Sequence, residues 1–328
     1  MQALIDALSA VHGWLHQALF EHLVQPALFA LGLASWIEDG FRATEWLLVG
    51  CAQLVVMVGV IGPLSRWRPV EPLADRAAVR VDVVYTLIHR LGLFRLALFF
   101  TLDPLLDALG HALAMQGIAG FQLDQAVGRL APGVLDAAWV GFLVYLVFFD
   151  AVDYAIHRAQ HHFDWWWALH AVHHSQRQMT MWTDSRNHLL DDLLRDLIVV
   201  ALGHAVGVPP AQFIALVALS QLVENLSHAN LRLSFGRLGQ RLVVGPRFHR
   251  LHHGIGIGHE GGAPGTLGGC NFAVLLPLWD LLFRTARFDA EPGPTGIRDQ
   301  LPEAGARDYG RGFWAQQRLG LRRLAGRA

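Results

Sequence analysis

The chain of 328 residues contains no lysine, only two cysteines and a charged fraction of just 16%. Its 26 basic residues are therefore all arginine, a bias that reads as the codon usage of a GC-rich bacterial genome and not as chemistry. Cys51 and Cys270 lie far apart, and Cys51 sits in an apolar run where a thiol behaves as a small hydrophobe, so no disulfide framework is implied. With 26 basic against 27 acidic residues, no polycationic surface advertises nucleic acid. The opening stretch lacks the basic n-region of a cleaved signal peptide, and acidic residues and histidines interrupt it. It reads as a helix or helical pair at or in a membrane.

Apolar residues, by contrast, make up 53% of the chain, too many for an ordinary soluble domain of this length. An all-α integral-membrane bundle is expected, with about four spanning or re-entrant helices. Trp46 to Leu64 is nearly uncharged and close to the ~20 residues that cross a ~30 Å hydrocarbon core. Val83 to Leu102 is a second candidate, whose His89, Arg90 and Arg95 must face the bundle or snorkel. Ala137 to Phe149 is a third, and it continues without a breaker toward His157, as a helix leaving the bilayer would. Leu193 to Val208 and Ala211 to Leu226, divided by Pro209-Pro210, predict a helical hairpin. These runs divide the chain into membrane helices over 1–136, a histidine-rich domain over 137–286 and a polar surface tail over 287–328. Arg66, Arg68, Arg76 and Arg80 crowd the loop from Pro63 to Asp82, whereas Arg129 stands alone between Asp103 and Asp136, so the first loop is expected in the cytoplasm.

Histidine is the other abundance: 18 in the chain, most of them between His157 and His259. Three clusters have ligand spacing: His157, His161 and His162; His170, His173 and His174; His249, His252 and His253. Positions i, i+3 and i+4 of a helix share a face, so the last two clusters each aim three imidazoles inward and the first aims two, with His162 turned away. Isolated histidines commonly cap helices or fill polar cavities, but such clusters predict metal. Eight donors are too many for one ion, which needs about four, and about right for two. Dioxygen chemistry and metal-assisted hydrolysis are both open to such a site.

The ordered run Asp150-x-x-x-Tyr154-x-x-His157-Arg158-x-x-His161, then Trp166-x-x-x-His170-x-x-His173-His174-Ser175, resembles the signature of the fatty acid hydroxylase and sterol desaturase superfamily. Thr183-x-x-Arg186-x-His188, His228-Ala-Asn230, Pro246-x-x-His249-Arg250-x-His252-His253, Asn271-Phe272 and Trp279-Asp280-x-x-Phe283 are similar to its later motifs, and the likeness spans Phe142 to Thr285. The resemblance implies a cytoplasmic helical cap holding two iron ions, dioxygen as co-substrate and a lipid as substrate. It also implies a separate electron-transfer protein, ferredoxin- or cytochrome b5-like. Carried over by position, the ligands are His157, His161, His170, His173, His174, His249, His252 and His253, with His188 and His228 added from isolated motif histidines. Zinc can replace iron in purified material, because it stands higher in the affinity series. The sequence departs from the family where Gly268-Gly269-Cys270 precedes Asn271, where Ala273 replaces a glycine, and where Arg284 stands at another usual glycine. The glycine-rich loop from Gly254 to Gly269 is an insertion.

Four further residues are candidates for catalytic roles. Asp153, like Asp150, lies on the helix before His157 and could accept an imidazole N–H or simply solvate a helix end. Tyr154 and Asn271 belong to the family-like motifs. Glu224 is an acid in an apolar helix one turn before His228. Trp165, Trp166 and Trp167 read as an interfacial belt. His12, His16, His22, His89, His111 and His204 lack partners at ligand spacing, and His162 and His259 lack counterparts. The expected activity is dioxygen-dependent hydroxylation or desaturation of a membrane lipid, in a bacterial inner membrane with the metals on its cytoplasmic face. The competing expectation is a membrane di-zinc hydrolase, which the absence of acidic residues at ligand positions within the clusters disfavours. A haem-binding subunit would need only one or two axial histidines and leaves the paired clusters unexplained.

Overall fold

The computed structural model describes residues 2–92, 102–117, 120–136, 138–256, 269–289 and 291–327. His259 and most of the inserted loop lie outside them. The protein is all-helical, with 70% of residues in helices and no strands among those described. Two helices are long and apolar enough to cross a membrane, Ala34–Trp67 and Trp139–His162. The first absorbs a π-helical turn at Met57–Ile61, and both Met57 and Ile61 are buried against Met181, Ala229 and Leu231. The second lies within a helix of 25 residues, Ala138–His162, that ends on its histidines.

The expected run from Val83 to Leu102 is divided. Its helix, Arg76–Arg90, begins on an Asp75 cap and ends at a turn through Leu91 and Gly92, and residues 93–101 lie outside the described part. The proline-divided hairpin does form: Leu189–Val206 stops at Gly207, whose φ of 67° is left-handed, and Pro210–His228 runs back. Tyr145, Leu146 and Phe149 pack with Val206, Leu216 and Leu275, joining this hairpin to the Ala138–His162 helix.

Polar contacts fix the register of the shorter helices that carry the site. Buried Arg186 donates to Asp82 (2.7 Å) on Arg76–Arg90 and to the Val172 carbonyl (3.2 Å) at the end of the Asp164–His174 helix. Arg90 donates to Asp184 at 3.0 Å. The arginine-bearing loop after Trp67 lies against the histidine-bearing segments: Asn230 accepts from the Val70 and Glu71 amides, and Glu71 pairs with Arg250. That loop and the histidine helices are therefore on one side of the bundle.

The stretch after 287, expected to be surface tail, is an integral brace. Its helix Phe313–Leu324 packs on Asp164–His174, with Ile297 and Tyr309 buried around Ala171. The Gly320 position explains the close approach, since a Cβ there would lie 2.4 Å from the His188 ring. The sequence hid this brace because polar Gln316 and Gln317 make its buried face.

Exposed Arg284 has a φ of 58°. Left-handed backbone costs an L residue roughly 1–2 kcal/mol, while glycine loses about 0.5–1 kcal/mol more backbone entropy on folding. Arg284→Gly should stabilise the protein by about 0.5–1 kcal/mol, read as a higher thermal midpoint in detergent. An unchanged or lower midpoint would count against this strain.

Candidate metal centre

Nine histidines from four segments converge, each no more than 7% exposed. His157 and His161 end the Ala138–His162 helix. The Asp164–His174 helix gives His170, His173 and His174, and His228 is the last residue of Pro210–His228. His249 and His252 lie on Pro246–His252, with His253 at its C-cap. They sort into two sets. His157, His161, His170 and His174 form one, and His173, His228, His249 and His253 the other, each with its donor atoms within 4.8 Å of one another. The ring of His252 joins the first set, 4.5 Å from His157, 4.7 Å from His161 and 4.8 Å from His174. The sets abut where the rings of His174 and His253 stack at 4.2 Å.

This corrects the expectation that each triplet aims at one point. Residues i and i+4 of a box serve one set, and residue i+3 serves the other. His170 and His174 face one way with His173 in the opposite set, and His249 and His253 pair while His252 crosses over. Consecutive residues are rotated by ~100° about a helix axis, so each adjacent histidine pair straddles the boundary.

The donor chemistry fits metal. His157 donates from Nδ1 to the Phe272 carbonyl (2.7 Å), His170 to Asp191 (3.0 Å), His228 to the Glu224 carbonyl (2.8 Å) and His252 to the Cys270 carbonyl (2.7 Å). Those oxygens only accept, so Nδ1 holds the proton and Nε2 presents a lone pair inward, the arrangement of a metal-ligating imidazole. The Nε2 atoms of His157 and His170 are buried with no hydrogen-bond partner. Nε2 atoms also face each other closely, His228 with His173 at 3.1 Å and with His249 at 2.9 Å. Burial first, and neighbouring imidazoles second, hold His173, His174, His249 and His253 well below the ordinary imidazole value, in the neutral form that ligation requires.

Asp191 is the main support the sequence did not single out. It opens the Leu189–Val206 helix and accepts from His170, from Gln160 (2.7 Å) and from the Trp166 indole (2.6 Å). A pair of acids beginning an apolar helix, Asp191-Asp192, was the available signal. Of the supposed tryptophan belt, only Trp165 is exposed; Trp166 holds Asp191 and the Trp167 ring lies 5.2 Å from His161.

Cys270 to Ala273 form a buried strap whose carbonyls take the protons of His252 and His157. Asn271, left-handed with a φ of 57°, donates to the Phe248 carbonyl (2.9 Å) and positions the Pro246–His252 helix. Asp280 receives the Phe272 and Ala273 amides and the Thr285 hydroxyl, and Tyr154 in turn donates to Thr285 at 3.0 Å. Tyr154 and Asn271 therefore act by positioning. Asp153 accepts from Arg195 at 2.9 Å, while Asp150 accepts from the Leu275 and Leu276 amides and the Trp279 indole. Glu224 supports His228 through its backbone carbonyl, its carboxylate lying 3.8 Å from Arg195.

His188 is a correction. It caps the Leu189–Val206 helix, its Nδ1 accepting from the Leu190 amide (3.1 Å) and its Nε2 donating to the Gln317 carbonyl (2.9 Å). With both nitrogens engaged it belongs to neither set. His16, donating to the Phe41 carbonyl at 2.8 Å, and His89, 3.2 Å from Asp192, are structural as expected.

Metal analysis of protein produced with iron should find about two ions per chain, since structural and catalytic sites use about four ligands each. His188→Gln should keep both, and His249→Ala should fall toward one. Loss of an ion from the His188 variant, with the fold intact by circular dichroism, would return that residue to the ligands.

Residues 142–285 match the family model described as fatty acid hydroxylase. Over 289 residues the chain is 26% identical to the ornithine lipid hydroxylase OlsE of Rhizobium tropici, covering 85% of this chain and 79% of that protein. It is 30% identical over 157 residues to an alkylglycerol monooxygenase of Caenorhabditis elegans, covering 48% of this chain and 28% of the relative. The alkylglycerol monooxygenase of Danio rerio is 29% identical over 150 residues, with 46% and 31% covered, so this chain spans less than a third of either of these two relatives. No solved structure matches. The matched segment, a fatty acid hydroxylase domain, holds every one of the nine converging histidines.

Proposed function

We propose that the protein is a membrane di-iron oxygenase that hydroxylates an unactivated carbon-hydrogen bond of a lipid. The observation that carries this reading is two abutting sets of buried imidazoles, with no carboxylate in either among the described residues, at the end of an apolar helix. The activities of the relatives, an ornithine lipid hydroxylase and an alkylglycerol monooxygenase, support it. Hydrolytic di-metal sites usually bring bridging carboxylates, whereas here Asp191 accepts from His170, and Asp184, 3.8 Å from His228, accepts from Arg90 and Asn225.

The first set would be held by His157, His161, His170, His174 and His252, the second by His173, His228, His249 and His253. Iron bound there would supply the reduction of dioxygen and the attack on a carbon-hydrogen bond that side chains alone cannot perform. The chain's own contribution is to fix the rings and to bring in the lipid. Asp191 and the carbonyls of Glu224, Cys270 and Phe272 keep four rings as Nδ1 donors, so their lone pairs cannot rotate away. A cavity of about 930 Å³ lies between the spanning helix Ala34–Trp67 and the hairpin, near the upper end of the ~300–1,000 Å³ of small-molecule sites. Leu28, Leu47, Phe149, Val199 and Phe213 are among the residues that line it, which suits an acyl chain. Its lining includes Asp153 and Arg195, and Asp153 is one helical turn before His157.

The overall reaction takes one lipid carbon-hydrogen bond, one dioxygen, two electrons and two protons to one hydroxyl and one water. The electrons would come from a separate electron-transfer protein. The arginine-rich loop and the histidine helices share a side of the bundle, and short cytoplasmic loops gather arginine, which supports a centre facing the cytoplasm of a bacterial inner membrane.

Removing a ligand alters the reactive centre and not substrate affinity alone. His173→Ala and His252→Ala should abolish lipid oxidation while the protein stays membrane-inserted, and His12→Ala should keep most activity. Product formation should require dioxygen and added reductant, with the hydroxyl oxygen derived from labelled dioxygen. Anaerobic turnover carrying label from water would instead establish the hydrolase.

Orientation has its own check. With cysteines introduced at Arg177 and at Gln116, an impermeant reagent should reach Gln116→Cys in intact cells and Arg177→Cys only after permeabilisation. Labelling of both from one side would overturn the topology.

A further inference from the structure

Two short segments beside the metal centre present large apolar side chains to the outside. After Leu231 the chain forms the turn of helix Gly236–Gly239, and Leu278–Leu282 forms another. Their inner faces are packed: Val244, Phe248 and Ala273 are buried together against Phe288, and the Val244 amide donates to the Leu275 carbonyl at 2.9 Å. Their outer faces are not. Leu238 is 80% exposed, Leu242 66%, Leu282 63% and Phe283 51%. Contiguous exposure of this kind marks an interaction surface.

The height of this surface is set by Asp150, which accepts from the Leu276 amide (3.2 Å) and the Trp279 indole (2.9 Å). Asp150 is the first charged residue after the apolar run that opens the Ala138–His162 helix. The exposed leucines thus sit beside the point where that candidate spanning helix turns from apolar to polar. Between Leu231 and Gly245 the chain has three arginines, Arg232, Arg237 and Arg241, and no acid, and Arg284 and Arg287 follow the second segment. Leucine and phenylalanine flanked by arginine is the composition of segments that lie in a bilayer interface, with apolar side chains among the acyl chains and guanidinium groups on anionic headgroups.

We propose that Phe235–Leu242 and Leu278–Phe283 form a monotopic apron inserted in the leaflet beside the metal centre, held on anionic phospholipid by Arg237 and Arg241. The apron needs only that the chain is a membrane protein, and it stands or falls independently of metal content and oxidation.

Spin labels at Leu238→Cys, Leu242→Cys and Leu282→Cys, each in a Cys51→Ser background with buried Cys270 kept, would be examined in nanodiscs of phosphatidylcholine and phosphatidylglycerol. The control is Glu303→Cys, on an exposed turn. The apron labels should favour collision with dioxygen over a water-soluble nickel chelate several-fold more than the control does. Arg237→Gln with Arg241→Gln, or discs of phosphatidylcholine alone, should shift the Leu238 label toward the chelate. Ratios equal to the control would overturn the insertion, and shielding from both reagents would overturn it in favour of a protein partner. A depth indifferent to the arginines and to lipid charge would overturn their assigned role.

Discussion

An imidazole that offers a lone pair from one nitrogen must dispose of a proton on the other, and most of the architecture around the centre follows from that. Nine rings packed together cannot satisfy one another, because converging lone pairs repel unless a cation lies among them. The outward protons therefore need acceptors outside the ring cluster, and for four rings the structure supplies them: the carbonyls of Glu224, Cys270 and Phe272 and the carboxylate of Asp191. Each acceptor must itself be held. Asp280 fixes the strap through two backbone amides, and Gln160 and Trp166 fix Asp191.

The buried ion pairs serve the same end in a different way. Isolated in a low-dielectric interior, a pair such as Arg186 with Asp82 is weak evidence of net stabilisation, yet losing one partner typically costs about 3–5 kcal/mol. Such pairs discriminate strongly against misregistered helices. Arg186 joins Arg76–Arg90 to the end of Asp164–His174, and Arg90 joins it to Asp184, so the histidine-bearing helix has few places to slide.

The histidine boxes were legible because helical spacing constrains where side chains go over a few residues. Their division into two sets was not, since it depends on the tilt of each helix and on which neighbour faces it. His228 could be placed from its motif, as an isolated ligand four residues after an acid. The same logic failed for His188, because a lone histidine before a helix is equally suited to capping it. Asp191 looked like an ordinary acid in a first turn. The paired prolines announced the hairpin, whereas the break at Gly92 was masked by apolar residues on both sides. The final helix escaped notice because its buried contacts are made by amides: Gln317 bonds Tyr85, Asn187, Leu189 and His188 at once.

That last helix has a temporal consequence. The Gly296 amide bonds the His253 carbonyl, Gln300 bonds the Ser175 carbonyl, and Gln317 engages His188, so residues far along the chain complete the frame around earlier ones. A nascent chain emerging from the ribosome would have both spanning helices and every ligand outside the exit tunnel before the brace could dock. Completion of the frame around the nine histidines is then a late event, because it waits for residues beyond 295.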